Sequence, residues 1–224
     1  MSLISNTTTL IGKELRTEFR SRELLTTTIV FILIVIVLFN FTFDPTSDES
    51  RRFAPGLLWL AFLFASSLML QPCFLREQHN DTLSALRLSV EDPFAIFLAK
   101  LKANTMFLVA TELILLPIFS VMYNVPVLPV LHWLLLVFLL ASLGISIAGT
   151  ALSAISAQAR MRELLLPLLM LPLLVPILVA STEVTQALFD RSPYVQWKGI
   201  GFLAVFDLVF LTALWLFGEY LLEE

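Results

Sequence analysis

Six long apolar runs, separated by polar connections, dominate the sequence. A helix needs about 20 mostly apolar residues to cross the hydrocarbon core of a bilayer. The runs also lack the period-two alternation that a membrane β-barrel requires. The pattern therefore predicts an all-α integral membrane protein with six transmembrane helices in one domain, residues 1–224. The predicted spans are 24–43, 53–75, 103–123, 130–157, 164–182 and 199–218.

Composition supports a membrane protein and excludes several classes of function. Hydrophobic residues make up 58% of the 224 residues and charged residues 14%, whereas soluble domains are roughly 45–50% apolar and about 25% charged. The net charge of -4 argues against a nucleic acid partner. Cys73 is the single cysteine and there are two histidines, so an internal disulfide is excluded and a protein-built metal site is disfavoured.

The distribution of lysine and arginine predicts the orientation in the membrane. Of the 14 basic residues, ten lie in the N-terminal segment and in the connections after the second and fourth runs, and four lie on the other side. Cytoplasmic loops of membrane proteins are enriched in lysine and arginine. We therefore expect both termini to face the cytoplasm.

The N-terminal segment 9–23 has the pattern of an amphipathic helix. Its apolar residues recur every four positions, and its basic residues occupy other faces. Such a helix can lie in the cytoplasmic membrane interface with its cations near lipid headgroups. A simple topogenic flank is the alternative. The residues concerned are Ile11, Leu15 and Phe19 on the apolar face and Lys13, Arg16 and Arg20 on the others.

The connection 76–102, predicted to be cytoplasmic, contains a second, shorter amphipathic pattern. Thr82 can cap a helix that carries Leu83, Leu86 and Val90 on one side. This apolar stripe either packs on the inner surface of the bundle or fits a groove on a partner protein. The residues alone leave both alternatives open.

Two of the runs contain features that affect helix geometry. The fourth run has a row of small residues, which permit close helix packing in lipid, either within the chain or at a subunit or substrate surface. In the fifth run, three prolines each remove a backbone donor, which predicts a bent helix. The small residues are Ser142, Ser146, Thr150 and Ala154, and the prolines are Pro167, Pro172 and Pro176.

Four isolated polar residues are candidates for function. Glu112 and Asp207 lie inside apolar runs, where carboxylates are costly and face either hydrogen-bonding serines and threonines or a functional cavity. His79 and His132 have side chains that can ligate haem iron axially. A lone histidine beside Trp133 at a membrane interface is more often an ordinary interfacial residue.

Sequence patterns for catalysis by this chain alone are absent. The sequence contains no GxxxxGK[ST] phosphate loop, the motif that cradles ATP phosphates. It contains no serine–histidine pair suited to an intramembrane serine protease, and Asp207 has no second aspartate to form an aspartyl protease pair. We therefore expect a non-catalytic membrane protein.

Several motifs resemble those of one permease family. Residues 52–59 (RFAPGLLW) resemble the R-x-A-P-G-x-x-W element of the CcmB family, the haem-exporter permease subunit of bacterial cytochrome c maturation. Residues 171–176 (LPLLVP) and 14–20 (ELRTEFR) are similar to further elements of that family. The segment that follows Phe74 resembles the cytoplasmic segment found more widely in ABC-2-type permeases. The family-motif residues of the second span are Arg52, Ala54, Pro55, Gly56 and Trp59.

The resemblance implies a non-catalytic subunit of an ABC transporter in the bacterial inner membrane. It implies an ATPase partner similar to CcmA, membrane partners similar to CcmC and CcmD, two permease copies, and indirect contact with a haem chaperone. Haem would then be substrate, and ATP would bind the partner. The alternatives are an ABC-2-type exporter of another lipid-like substrate and an ATP-independent haem-binding scaffold. The residues implied in ATPase coupling are Glu77, Thr82, Leu83, Leu86 and Arg87.

Overall fold

The structure is a computed structural model of the 224-residue chain. Within the described part of the chain, the backbone forms seven α-helices and one 3₁₀ turn, with no β-strand. The absence of strands agrees with the prediction of an all-α protein. The described residues are 3–21, 23–42, 48–71, 73–74, 94–125, 127–157, 162–190 and 192–223.

Six of the seven helices are long and apolar enough to cross a membrane, which confirms the predicted number of spans. The exception is α1, whose polar residues interrupt its apolar positions. The 3₁₀ turn Leu128–Val130 leads directly into α5. The helices are α1 (Leu3–Ser21), α2 (Glu23–Thr42), α3 (Asp48–Leu70), α4 (Phe94–Met122), α5 (Leu131–Ala157), α6 (Arg162–Phe189) and α7 (Trp197–Glu223).

Several helix boundaries differ from the predicted spans. The second span was expected to reach residue 75, but α3 ends at Leu70. Two further differences involve charged residues. The third span was expected to begin at residue 103, but α4 begins at Phe94. The fifth was expected to end at residue 182, but α6 continues to Phe189. Both expectations followed hydropathy, which falls at Lys100 and at Glu183. A charged side chain does not interrupt the backbone hydrogen bonds of a helix, so these helices extend through it.

The bundle is organised around α5, which packs against α3, α4, α6 and α7. The row of small residues predicted on this helix makes that position feasible, because small side chains let neighbouring helices approach closely. All four members of the row are buried inside the chain, in agreement with the intramolecular alternative. They are Ser142, Ser146, Thr150 and Ala154.

The amphipathic helix α1 packs mainly on α4. Leu10 and Leu15 contact the buried clusters of the bundle, and the basic residues Lys13, Arg16 and Arg20 are exposed. The apolar side of α1 therefore serves packing within the chain. Its location in the membrane interface, like the orientation of both termini, stays a prediction.

A short connection joins the C-terminal end of α4 to α5. Asn124 adopts a left-handed backbone with φ 49°, and the Val125 amide donates to the Ser120 carbonyl at 3.1 Å. The Ser120 hydroxyl returns a 2.8 Å hydrogen bond to the Val125 carbonyl. This is a Schellman-type helix end, which satisfies carbonyls that the last turn leaves unpaired. These hydrogen bonds make the described start of the connection a tight turn.

Candidate functional site

The motif at the start of the second span, residues 52–59, mostly faces inward. Ala54, Pro55 and Trp59 are buried, whereas Arg52 is exposed at the end of the helix. A methyl group added at Gly56 would touch the Thr182 side chain at 3.8 Å. The small and apolar members of the motif therefore shape the contact between α3 and α6.

Trp59 is the centre of that contact. Its side chain is 0% exposed, and its indole Nε1 donates a 3.0 Å hydrogen bond to Thr185 Oγ1 on α6. Its ring lies 5.6 Å from Phe138 of α5 and 6.0 Å from Phe62 of its own helix, centroid to centroid. These aromatic and hydrogen-bond contacts join α3, α5 and α6. Thr185 was not identified from the sequence, because nothing local marks it as a partner of Trp59.

The carboxylate of Glu112 is satisfied through one of its two oxygens. Glu112 is 1% exposed on α4, and Ser142 of α5 donates a hydrogen bond of 2.9 Å to its Oε1. Oε2 has no hydrogen-bond partner among the described residues. The geometry matches the predicted alternative of hydrogen bonding to serine or threonine.

Asp207 occupies a different position, between α5, α6 and α7. Its side chain is 6% exposed, and neither carboxylate oxygen has a hydrogen-bond partner within the described part of the chain. The carboxylate lies against Gly144 of α5, beside Ile177 of α6. Glu112 and Asp207 thus contact different residues of the central helix, and the contacts do not join them in one site.

The Ser142–Glu112 pair yields a testable prediction. Glu112→Gln retains an oxygen that can accept from Ser142, so we expect its free energy of unfolding to stay within about 0.5 kcal/mol of the wild type. Ser142→Ala removes the donor between the two helices. It should cost about 0.6–1.7 kcal/mol, the range for interhelical hydrogen bonds in membranes. Unfolding of the purified chain by SDS in mixed micelles measures both values.

Ser192→Ala is the matched control for this pair, since Ser192 is exposed in the connection before α7. It should have no measurable effect. A wild-type stability for Ser142→Ala would mean that the serine hydroxyl does not stabilise the α4–α5 contact.

The helix that contains the predicted proline bend is continuous from Arg162 to Phe189. Pro172 and Pro176 lie on the outer surface of the bundle. The side chain of Pro167 lies outside the described residues. The prolines thus do not interrupt the helix, and its bend stays a prediction.

The candidate haem ligand His132 lies on the bundle surface at the start of α5. Its ring centroid is 5.2 Å from that of Trp133, which in turn lies 5.2 Å from the exposed Trp197. Tryptophan is enriched where membrane proteins meet headgroups, so the surroundings are those of an interfacial residue. No group of three metal-ligating side chains occurs among the described residues, and His79 lies outside them.

The residues implied in ATPase coupling, together with His79, lie in the part of the chain that the structure does not describe, 75–93. The described residues on either side of it meet at one end of the bundle. Phe74 packs on Phe97 of α4 with ring centroids 5.4 Å apart. The described residues that flank this part of the chain are therefore held together. The predicted coupling residues are Glu77, Thr82, Leu83, Leu86 and Arg87.

Comparison with known proteins decides the family. The model of the family described as "CcmB protein" matches residues 5–216. The chain belongs to the CcmB family. This match includes the first five spans and all but the last two residues of the sixth. It also includes α1 apart from its first residues, and the segment between Phe74 and Phe94.

Curated CcmB relatives extend over most of the chain. It is 32% identical to heme exporter protein B of Pseudomonas aeruginosa over 186 residues, 82% of each chain. It is 30% identical to heme exporter protein B of Rhodobacter capsulatus over 177 residues, 79% of this chain and 81% of the relative. The protein of the same name from Haemophilus influenzae is 28% identical over 83% of each chain. With its six apolar helices, this CcmB family member is a multi-pass protein of the bacterial inner membrane.

Proposed function

We propose that this chain is the transmembrane permease subunit of an ABC transporter complex for cytochrome c biogenesis. In this proposal, ATP hydrolysis by a CcmA-like partner drives haem export or the release of a haem-loaded chaperone at the periplasmic face. The observation that carries the proposal is the CcmB family match over residues 5–216. The names of the curated relatives, heme exporter protein B, supply the substrate class.

The relatives named heme exporter protein B support a transport subunit, whose role in this proposal is to transmit motion. In this proposal, the long polar segment between Phe74 and Phe94 provides the contact with a soluble partner. An amphipathic helix of that segment would bind a groove on the ATPase through Leu83 and Leu86. ATPases of this type act as dimers, so two permease copies are expected per complex. CcmC-like and CcmD-like subunits complete the assembly.

The test is co-purification of the tagged chain with its co-expressed native ATPase. Leu83→Asp and Leu86→Asp place a charge on the apolar stripe that would enter the groove. We expect each to reduce the recovered ATPase roughly tenfold or more, because a buried unpaired charge costs several kcal/mol. Thermal stability of the purified chain should remain that of the wild type.

Leu128→Asp is the matched control. Leu128 is 84% exposed and lies in the 3₁₀ turn at the other end of the bundle, so the same substitution there should leave ATPase recovery unchanged. Normal ATPase binding by both segment variants would contradict the coupling assignment.

The same purification separates the two alternative functions. An exporter of another lipid-like substrate would retain the ATPase but stimulate no haem release. An ATP-independent scaffold would co-purify with haem in the absence of the ATPase, and His132→Ala or His79→Ala would remove its haem absorption.

A further inference from the structure

Lys100 is a buried cation at the end of the bundle where the segment 75–93 begins and ends. Its side chain is 3% exposed. Removing an ammonium group from water is costly unless charges and hydrogen bonds compensate. The position therefore needs partners, and the fold supplies them from α1 and from the residues just after α3.

Several partners of Lys100 lie around its ammonium group. Nζ donates to the Cys73 carbonyl oxygen at 2.5 Å, just after α3. It forms an ion pair with Glu14 Oε1 of α1 at 3.3 Å. It also lies 5.0 Å from the centroid of the Phe74 ring, within the range of cation–π attraction. One side chain thus joins α1, the chain after α3, and α4.

Further contacts hold Cys73 and Phe74 against α4. Asn104, one turn beyond Lys100 on α4, donates to Cys73 Sγ at 3.3 Å and to Thr150 Oγ1 of α5 at 3.2 Å. Phe74 and Phe97 belong to one buried cluster. The residues that precede the polar segment are therefore held to the helix that follows it.

Stability alone is a weak explanation for this arrangement. Apolar side chains of similar volume in place of a buried ion pair are often neutral or stabilising, whereas a hydrogen-bonded ion pair fixes geometry because its partners must be correctly placed. An apolar residue at position 100 would pack on Phe74 and Phe97 but would impose no orientation on the Cys73 carbonyl or on α1.

We propose that Lys100 is a positioning residue that holds both ends of the polar segment in a fixed relation to α1. This inference rests on the proposed function, in which that segment contacts the ATPase. Movement of the segment would then be passed through Lys100 and Glu14 to α1 and α4 together. Without the ammonium group, the segment would still bind the ATPase, but its movement would be poorly transmitted to the membrane helices.

The experiment uses the complete complex, reconstituted in liposomes with its native ATPase, membrane partners and haem-loaded chaperone. The measured quantity is chaperone-bound haem released per ATP hydrolysed. Lys100→Met should retain ATPase binding but lower this ratio about tenfold, since a charge-assisted contact is worth roughly that factor. Lys100→Arg keeps the charge and should preserve most of the ratio.

Lys102→Met is the matched control: Lys102 is exposed two residues further along the same helix and should behave as the wild type. An unchanged ratio for Lys100→Met overturns the proposal.

If Lys100→Met does not accumulate, Glu14→Gln provides the test. This variant removes the ion pair but leaves the contact between Lys100 and the Cys73 carbonyl. The haem released per ATP must then fall, and an unchanged ratio would overturn the proposal equally. Failure of the proposed function is distinguishable, because the wild-type chain itself would then bind no ATPase or release no haem.

Discussion

Replacing Gly144 with leucine is expected to destabilise the bundle strongly. A Cβ atom at this position would lie 2.5 Å from Asp207 Oδ1 and 2.9 Å from Ile177 Cδ1, closer than van der Waals contact allows. A full leucine side chain must separate α5 from α6 and α7. We expect the free energy of unfolding to fall by about 3 kcal/mol or more, the upper part of the range for overpacked cores, as measured by SDS titration in mixed micelles.

Gly201→Leu is the matched control, because a Cβ at Gly201 meets nothing within 4 Å. This variant should be as stable as the wild type or slightly more stable, since glycine is a poor helix former. Combining Gly144→Leu with Asp207→Ala removes one of the clashing groups and should recover part of the lost stability. Equal stabilities for Gly144→Leu and Gly201→Leu would show that α5 and α7 do not approach closely at Asp207.

Trp59→Ala is the second change with a large expected effect. It removes the ring that α3, α5 and α6 share and leaves a cavity beside Phe62 and Phe138. Tryptophan-to-alanine changes in soluble cores cost about 3–5 kcal/mol. We expect a loss of about 3 kcal/mol here. In a membrane protein the tryptophan side chain contacts lipid rather than water in the unfolded state, so the main cost of the change is the lost packing. Thermal unfolding in detergent, followed by tryptophan fluorescence and size exclusion, measures the loss.

Two further variants resolve this effect into its parts. Trp59→Phe retains most of the packing but loses the hydrogen bond to Thr185, so it should cost only about 0.6 kcal/mol. Trp215→Ala is the matched control, since Trp215 is 63% exposed on α7 and its removal should change little. If Trp59→Ala lowers the thermal stability no more than Trp215→Ala does, Trp59 does not stabilise the contact between α3, α5 and α6.

The number and type of helices followed from the sequence because they depend on local composition. Apolar runs of about 20 residues have few stable alternatives in a bilayer, where every backbone group must be paired internally. The boundaries were less predictable. Lys100 and Glu183 lower the local hydropathy, but the burial of Lys100 depends on Glu14, which is 86 residues away in the sequence.

For the polar contacts inside the bundle, the sequence indicated the type of partner but not the individual residue. Hydrogen bonding of Glu112 to a serine or threonine was one of two alternatives that the sequence left open. The sequence did not single out Ser142, because the register between α4 and α5 is set by packing. The motif around Trp59 was recognised from its spacing, yet its partner Thr185 lies 126 residues further along. The roles of Glu77, Thr82, Leu83, Leu86 and Arg87 stay predictions.

The contacts between α4 and α5 have a mechanical consequence. Asn104 pairs with Thr150, and eight residues further along α4 Glu112 pairs with Ser142, eight residues back along α5. The helix end at Asn124 closes the hairpin beyond them. The two pairs are about 12 Å apart along the helix axis, so any sliding or swivelling of one helix on the other would break both. The hairpin of α4 and α5 should therefore move as one rigid unit. Any hinge of a transport cycle must then lie in its contacts with the remaining helices.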